Sequence, residues 1–417
     1  MCSNTCLSKL AVIPQLSSQS IAAIHQRIAG TPDTWTVDEI GDGNVNLVFL
    51  VSGPDGQVVV KQALPYVRSV GESWPLTARR SFFERKALEE HAVIAPEYVP
   101  RVLTFEEPAA ITVMEFLGSH IVLRNGLMQS TRYPRFSDHI TDFLAKTLFF
   151  TSDLFLSAAE KKAKVSLFNE NVELCKITED LIFTDPYLVD SRNRWTSPQL
   201  DSLAKAFSTD RELKVAITEL KAKFLTASEA LIHGDLHTGS IMVNQQETKI
   251  IDPEFACYGP MGFDVGLLLA NFVLSYFSQA GLGGNPAYEQ WLLQQVTEIW
   301  SEFARKFSAL WDSHLQGDYL PQRLLTNGSR AYVIDQLRTD YLARVFDDSL
   351  GFAASEVIRR VLGFAHVADM ERIEDPERRA VCESHALHVA RELLVSHRKY
   401  TDIATVLDLI RAQRTWA

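Results

Sequence analysis

The chain has 417 residues, 46% of them hydrophobic and 22% charged, with a formal net charge of −11. That is an ordinary globular balance, with room for two domains or two large lobes around buried cores. With no run of Lys and Arg, so acidic a chain is not expected to hold nucleic acid or an anionic membrane, and any anionic ligand needs a few well-placed cations.

In chain order, residues 45–51 (Val-Asn-Leu-Val-Phe-Leu-Val) and 58–61 (Val-Val-Val-Lys) flank Gly53-Pro54-Asp55-Gly56, which predicts a β-hairpin. Thr77 is placed to cap a helix reaching to about residue 91, with Phe83, Ala87 and Leu88 turned inward. A strand at 111–114 leads into Glu115-Phe116-Leu117 and Gly118. Helical periodicity then dominates, as at 138–150 and 153–164. One β-rich island interrupts it: Leu231-Ile232, a strand at 241–243, a turn at 244–248 and a return at 249–251. The apolar run 265–277 is too short to span a bilayer and contains Asn271 and Ser275, so it predicts a buried helix. The rest is mainly helical. The expectation is an α+β fold of two lobes, a small β-rich N-terminal lobe over 1–117 and a large, mainly helical C-terminal lobe over 118–417. Five cysteines, an odd number without a second pair beside Cys2 and Cys6, predict neither a disulfide framework nor a zinc site. No secretion signal is evident at the N-terminus, so the expected compartment is the cytoplasm, with thiols reduced.

The densest chemistry lies in His233-Gly234-Asp235-Leu236-His237-Thr238-Gly239-Ser240 and in Ile250-Ile251-Asp252-Pro253-Glu254. Phosphoryl transfer needs a carboxylate beside the acceptor hydroxyl and oxygen ligands for Mg²⁺. Asp235 is the candidate for the first task, Asp252 and Glu254 for the second, with a hairpin expected to bring Asp252 back beside Asp235. A lone His-x-Asp is ordinarily a turn with a capping Asp; the flanking apolar strands and the attached Asp-x-Glu argue against that here. His233 reads as a structural residue of the loop. A competing reading makes His233, Asp235 and His237 zinc ligands of a hydrolase, but Gly234, Thr238 and Gly239 mark a loop and no remote cluster completes a site.

Upstream, Gly41-Asp42-Gly43-Asn44 is either a plain β-turn or a place where backbone N–H groups meet phosphate. Lys61 is either a solvated strand end or the cation for the α- and β-phosphates, with Glu84 as its natural partner. Arg80 and Arg85 stand nearby as a plain surface charge network. Arg359-Arg360, between Val357-Ile358 and Val361-Leu362, fit a ligand and a structural salt bridge equally well. Trp74 either shields a site or packs in a loop, and Asp264 reads as structural.

The order turn, strand lysine, helix glutamate, strand and hinge, His-x-Asp, Asp-x-Glu is that of the protein-kinase-like fold. Ser240 stands five residues after Asp235, where protein kinases carry a metal-binding Asn, and Pro253-Glu254 replace the Phe-Gly after their metal-binding Asp. In this the chain resembles the aminoglycoside and choline kinase branch, which phosphorylates small molecules. Residues 41–44, 61–66, 71–77, 233–240, 252–258 and 259–264, with Arg359-Arg360 running on to Gly363 and His366-Val367-Ala368-Asp369, are similar to 5-methylthioribose kinases over about 36–409. Phe116 departs from that family, which has Asp at the position. The resemblance implies ATP-dependent phosphorylation of the anomeric hydroxyl of 5-methylthioribose, in methionine salvage, by a cytoplasmic homodimer. It implies ATP and Mg²⁺ at Asn44, Lys61, Glu115, Phe116, Leu117, Asp252, Pro253 and Glu254, with Glu84 supporting Lys61. It also implies Asp235 as the catalytic residue, facing the sugar together with Arg359 and Arg360. A kinase of another small alcohol (aminoglycoside, choline or homoserine) and a nucleotide-binding scaffold without catalysis remain as alternatives.

Overall fold

Alternate residues of two neighbouring strands, Phe49 and Val51 on one and Val58 and Val60 on the other, are buried, and this period of two builds the first sheet. The computed structural model describes residues 12–40, 45–68, 70–321, 324–325 and 330–414. These fall into two units, the first formed by residues up to 120 with 249–256, the second by 121–248 with 257 onward.

The first unit runs α1 (Ser18–Ile28), β1 (Thr36–Glu39), β2 (Asn46–Gly53), β3 (Gly56–Ala63), the small pair β4 (Tyr66–Val67) and β5 (Gly71–Pro75), α2 (Arg80–Ile94), β6 (Val102–Glu106) and β7 (Ile111–Glu115). Antiparallel pairing gives the sheet order β1-β2-β3-β7-β6. The predicted hairpin forms, its register running from Asn46↔Ala63 to Gly53↔Gly56. Because β3 continues to Ala63, Lys61 sits inside the strand, opposite Val48 on one side and Thr112 on the other. Val58 and Val60 join Ile24 and Ile28 of α1 in the core, so Lys61, one residue on, points to the other face of the sheet. The helix expected from Thr77 starts at Arg80 instead, because the Thr77 hydroxyl accepts the Arg79 N–H at 3.2 Å in a preceding turn.

The second unit begins with β8 (Ile121–Val122), α3 (Leu123–Met128), α4 (Phe136–Phe150), α5 (Ala158–Phe168), α6 (Val172–Leu181), α7 (Asp201–Thr209) and α8 (Arg211–Thr226). The helix expected at 153–164 begins after Ser157, which forms a capping box with Glu160. Before it, the hydroxyls of Thr151 and Ser152 bond back to the carbonyls of Thr147 and Phe149, both at 2.7 Å, and close off α4. The β-rich island follows as β9 (Ala230–Ile232), β10 (Ile241–Val243), β11 (Thr248–Ile250) and β12 (Cys257–Gly259), with β9 paired to β12 and β10 to β8.

The chain ends in α9 (Gly262–Gly281), α10 (Pro286–His314), α11 (Arg330–Leu362), α12 (Ala368–Glu371), α13 (Pro376–Ser396) and α14 (Ile403–Arg414). The apolar run thus extends to a helix of 20 residues, long and apolar enough to cross a membrane by composition, but 94% buried inside the protein. What lets α9 lie at the centre is two glycines one turn apart. A Cβ on Gly262 would sit 2.8 Å from Ser349 N, and one on Gly266 2.6 Å from Ser349 O, so the backbones of α9 and α11 touch. Beside this crossing, Phe263 and Phe352 pack edge to face at 5.2 Å, with Phe183 and Phe224 against them.

Gly266→Ala should therefore force the two helices apart and destabilise the second unit by about 1–3 kcal/mol, the usual cost of overpacking. Urea denaturation followed by tryptophan fluorescence measures it, and a loss below about 0.5 kcal/mol, within the range of a neutral surface change, would show that the contact is not tight.

Candidate active site

In the first unit, β3 carries Lys61, α2 carries Arg80 and Glu84, and the turn after β11 carries Asp252, Pro253 and Glu254. Lys61 Nζ donates to Glu84 Oε1 at 2.8 Å and to Asp252 Oδ1. Burial disfavours the ammonium, but Asp252, Glu84 and Glu254 outweigh it and raise its pKa above the ordinary lysine value. Burial pushes the Glu84 carboxyl up to about 7 against the pull of Lys61. Asp252 has φ +68°, a left-handed conformation held at some cost, so the turn rather than a free rotamer aims its carboxylate.

Glu254 is buried, and its Oε2 accepts Asn46 Nδ2 at 2.8 Å and faces Arg80 Nε at 3.3 Å. Burial and the charge of Asp252 push its carboxyl up, while Lys61 and Arg80 oppose them. Arg80 is no surface charge, contrary to the sequence reading: it is 0% exposed. Its Nη1 donates to Leu64 O and Thr77 O, at 2.7 and 2.8 Å, and its Nη2 to Asn46 Oδ1 at 2.7 Å. Those fixed acceptors replace water around the guanidinium and make its burial tolerable. Arg85, its side chain 17% exposed, pairs with half-exposed Glu89 at 2.5 Å.

Glu84, Asp252 and Glu254 each offer a carboxylate oxygen within 4.8 Å of the others. Three hard oxygen donors so close suit a divalent cation such as Mg²⁺. His233, Asp235 and His237 form no such group among the described residues, which removes the zinc reading. At the end of β7, the Glu115 N–H donates to Arg101 O and its Oε1 accepts the Arg101 N–H, both at 3.0 Å. Phe116 folds over Gly118, where a Cβ would lie 2.6 Å from its ring, and Leu117 O accepts the His120 N–H at 3.0 Å. Trp74 lies half-buried on β5. Asn44 falls outside the described residues.

In the second unit, Asp235 follows β9 in a loop pinned from beneath. Asp264, in the first turn of α9, accepts the His233 N–H at 2.6 Å and the Gly234 N–H at 3.0 Å, a structural role as its position suggested. His233 Nδ1 accepts the Asp235 N–H at 3.3 Å, and Ser240 Oγ donates to Asp235 O at 3.0 Å. The Asp235 carboxylate meets Arg359 Nη2 at 2.9 Å on Oδ1, with Arg360 Nη2 at 3.8 Å, and His237 Nε2 at 3.3 Å on Oδ2. Burial opposes its ionisation, but the hydrogen bond from His237 and the charges of the two guanidiniums outweigh burial and hold it well below the usual carboxylate range. Burial acts oppositely on His237, lowering its pKa to about 4 despite the adjacent carboxylate. The imidazole is therefore neutral near pH 7 and serves Asp235 as an N–H donor.

Three residues of this constellation escaped sequence reading. Glu356, fully buried, takes Arg359 Nε on Oε2 and Arg360 Nε on Oε1, the latter at 2.7 Å. A signal existed: Glu three and four residues before an Arg pair lies over the same helical face. Asn271, seen only as an interruption of the apolar run, accepts from Thr238 Oγ1 at 3.2 Å. Arg124 reaches His237 Nδ1 at 3.3 Å, and nothing local marks it. The arginine pair thus makes a structural salt bridge, to Glu356, and also turns donors on Asp235.

Residues 36–315 match the phosphotransferase enzyme family. A methylthioribose kinase of Oryza sativa subsp. japonica is 44% identical over 393 residues, 92% of this chain and 90% of its own. One of Escherichia coli is 43% identical over 384 residues, 91% of each chain. Among solved structures, a Plasmodium vivax ethanolamine kinase superposes with a TM-score of 0.43 at 12% identity, covering 87% of this chain and 84% of that one.

Glu356→Ala should leave two buried guanidiniums short of a counter-charge and cost the second unit about 3–5 kcal/mol. Chemical denaturation of the purified variant checks this, and a cost under about 1 kcal/mol, typical of an exposed pair, would mean that water reaches the pair.

Proposed function

The chain belongs to the methylthioribose kinases of the phosphotransferase enzyme family, and from that premise we propose that it transfers the γ-phosphate of ATP to the anomeric hydroxyl of 5-methylthioribose, giving 5-methylthioribose 1-phosphate in methionine salvage. The observation that carries the mechanism is the partly exposed Asp235 carboxylate, held ionised with Arg359 on one oxygen and His237 near the other.

On the nucleotide side, Asn44, Lys61 and the hinge residues Glu115, Phe116 and Leu117 bind ATP, with Pro253 between two metal ligands. Asp252 and Glu254 hold Mg²⁺, and Glu84 keeps Lys61 in place; the three clustered carboxylates support this. Mg²⁺, when bound, neutralises charge on the phosphate oxygens. Lys61, held by Glu84, would donate to the α- and β-phosphates.

On the acceptor side, Asp235 accepts a hydrogen bond from the anomeric hydroxyl and aims its oxygen. A carboxylate so stabilised is a weak base, which suits a loose transition state in which the acceptor keeps its proton until the new bond is well advanced. The Nη groups of Arg359 and Arg360 donate to sugar hydroxyls and to the travelling phosphoryl oxygens, as fixed charge-assisted donors. The family reading extends to a cytoplasmic homodimer, and sedimentation of the purified protein tests the dimer.

Asp235→Asn should lower turnover of 5-methylthioribose on the order of 10²–10⁴-fold while leaving Mg·ATP affinity nearly unchanged. The assay is coupled ADP release, run with 5-methylthioribose, ribose, choline and an aminoglycoside as acceptors. Near-normal turnover by the variant would remove the role of Asp235, and strong turnover by the parent with another acceptor alone would remove the substrate assignment.

Asp252→Ala and Glu254→Ala should each weaken Mg²⁺-dependent ATP binding in calorimetric titrations, because each takes an oxygen ligand from the cluster. If Glu254→Ala bound Mg·ATP like the parent, Glu254 would belong to the Arg80–Asn46 scaffold instead.

A further inference from the structure

We propose that His237 is a positioning residue for Asp235: a neutral imidazole, seated by Gly239 and Arg124, whose Nε2–H fixes one carboxylate oxygen while Arg359 fixes the other. This rests on the acceptor-side role of Asp235 proposed above.

The tautomer follows from the neighbours of the ring. Nδ1 accepts the Gly239 N–H at 2.9 Å and lies 3.3 Å from Arg124 Nη2. A backbone amide and a guanidinium only donate, so Nδ1 must present its lone pair. Ser240 Oγ, 3.4 Å away, already donates to Asp235 O. The ring hydrogen therefore sits on Nε2, 3.3 Å from Asp235 Oδ2. A second proton, on Nδ1, would point at two donors, one of them permanently charged.

The seat is built from several elements. A Cβ on Gly239 would lie 2.6 Å from His237 Cε1 and 2.9 Å from its Nδ1, so the ring occupies the place of the missing side chain. Arg124 is itself held: its N–H donates to Thr238 O at 3.0 Å, its Nε to Thr238 Oγ1 at 3.3 Å and its Nη2 to Asn271 Oδ1 at 3.4 Å, with Asp369 Oδ2 at 3.8 Å. A line of contacts thus runs from α9 and α12 through Arg124 and His237 to Asp235.

The consequence is orientation. With Oδ1 on Arg359 and Oδ2 on His237, the plane of the carboxylate is set and a lone pair remains for the acceptor hydroxyl. Without the Nε2–H, the carboxylate can turn to take both guanidiniums, since Arg360 Nη2 stands only 3.8 Å away. Misplacing a reacting group by about 1 Å can cost on the order of 10²-fold in rate.

The test contrasts two amides. In His237→Gln, the amide nitrogen reaches the former Nε2 position and can donate to Asp235. In His237→Asn, the side chain reaches only the Nδ1 position, accepts from Gly239 and leaves Asp235 Oδ2 without its donor. His237→Asn should lose kcat on the order of 10²-fold and His237→Gln less than about tenfold, with Mg·ATP affinity and melting temperature alike in the two. In the unaltered enzyme, ¹⁵N-detected histidine spectra between pH 6 and 8 should show the His237 ring, assigned by its loss in His237→Gln, protonated at Nε2 and bare at Nδ1. Equal losses in the two variants, near-parent activity of His237→Asn, or a His237 ring protonated at Nδ1 would overturn the proposal. Asp235→Asn assayed in parallel separates the levels: if it is active, the role of Asp235 has failed; if it is inactive while His237→Asn is active, only the role of His237 has.

Discussion

Two guanidiniums side by side on one helix, both buried, must find two carboxylates, and the second unit is organised around that requirement. Arg359 and Arg360 meet Glu356 through their Nε edges and turn their Nη edges toward Asp235. The four charges cancel within a group in which only Asp235 is partly exposed, and removing Glu356 or Asp235 leaves a buried guanidinium short of its partner. Stability and chemistry therefore share the same atoms. Asp235 stays ionised because the arginines are there, and the arginines are aimed because Glu356 holds their other edge.

The first unit solves a similar problem with a different balance. Lys61 and Arg80 face three carboxylates, the buried Glu84 and Glu254 and the half-exposed Asp252, in a cluster with one negative charge in excess when all are ionised. Burial first, and then the neighbouring carboxylates, push the carboxyls of Glu84 and Glu254 upward. A divalent cation relieves that excess, so the features that strain the unliganded cluster favour the metal. Arg80 spends most of its donors on carbonyl oxygens and Asn46, which makes it a rigid support rather than a mobile counter-ion.

The Asp235 cluster depends on backbone packing some way off. The glycines of α9 allow α11 to lie against it, and α11 carries Glu356 and both arginines. Asp264, at the start of α9, ties down the loop that bears Asp235, and Asn271, two turns on, is the polar contact beneath Thr238. A helix that reads as plain core thus supplies the loop with its anchor at one end and a hydrogen-bond acceptor in its middle.

Patterns with a short period were legible before folding. The hairpin around Pro54-Asp55, the apolar helix, the Asp235 loop and the Asp-Pro-Glu turn were all visible in the residues, because each is specified by neighbours a few positions apart, and their order carried the family resemblance. The partners of the charges were not legible in the same way. Lys61 lies 191 residues from Asp252, Asn46 lies 208 from Glu254 and Asp235 lies 124 from Arg359. Sequence reading placed Arg80 at the surface because a charged residue at a helix start ordinarily stays in water; a cage of acceptors drawn from Val45, Asn46, Leu64 and Thr77 reversed that. His237 looked like a possible metal ligand until Gly239 and Arg124 were seen to occupy its Nδ1 side. Local spacing determines which element a side chain belongs to, whereas its partner, tautomer and charge depend on which distant elements pack around it, and only the tertiary structure decides that.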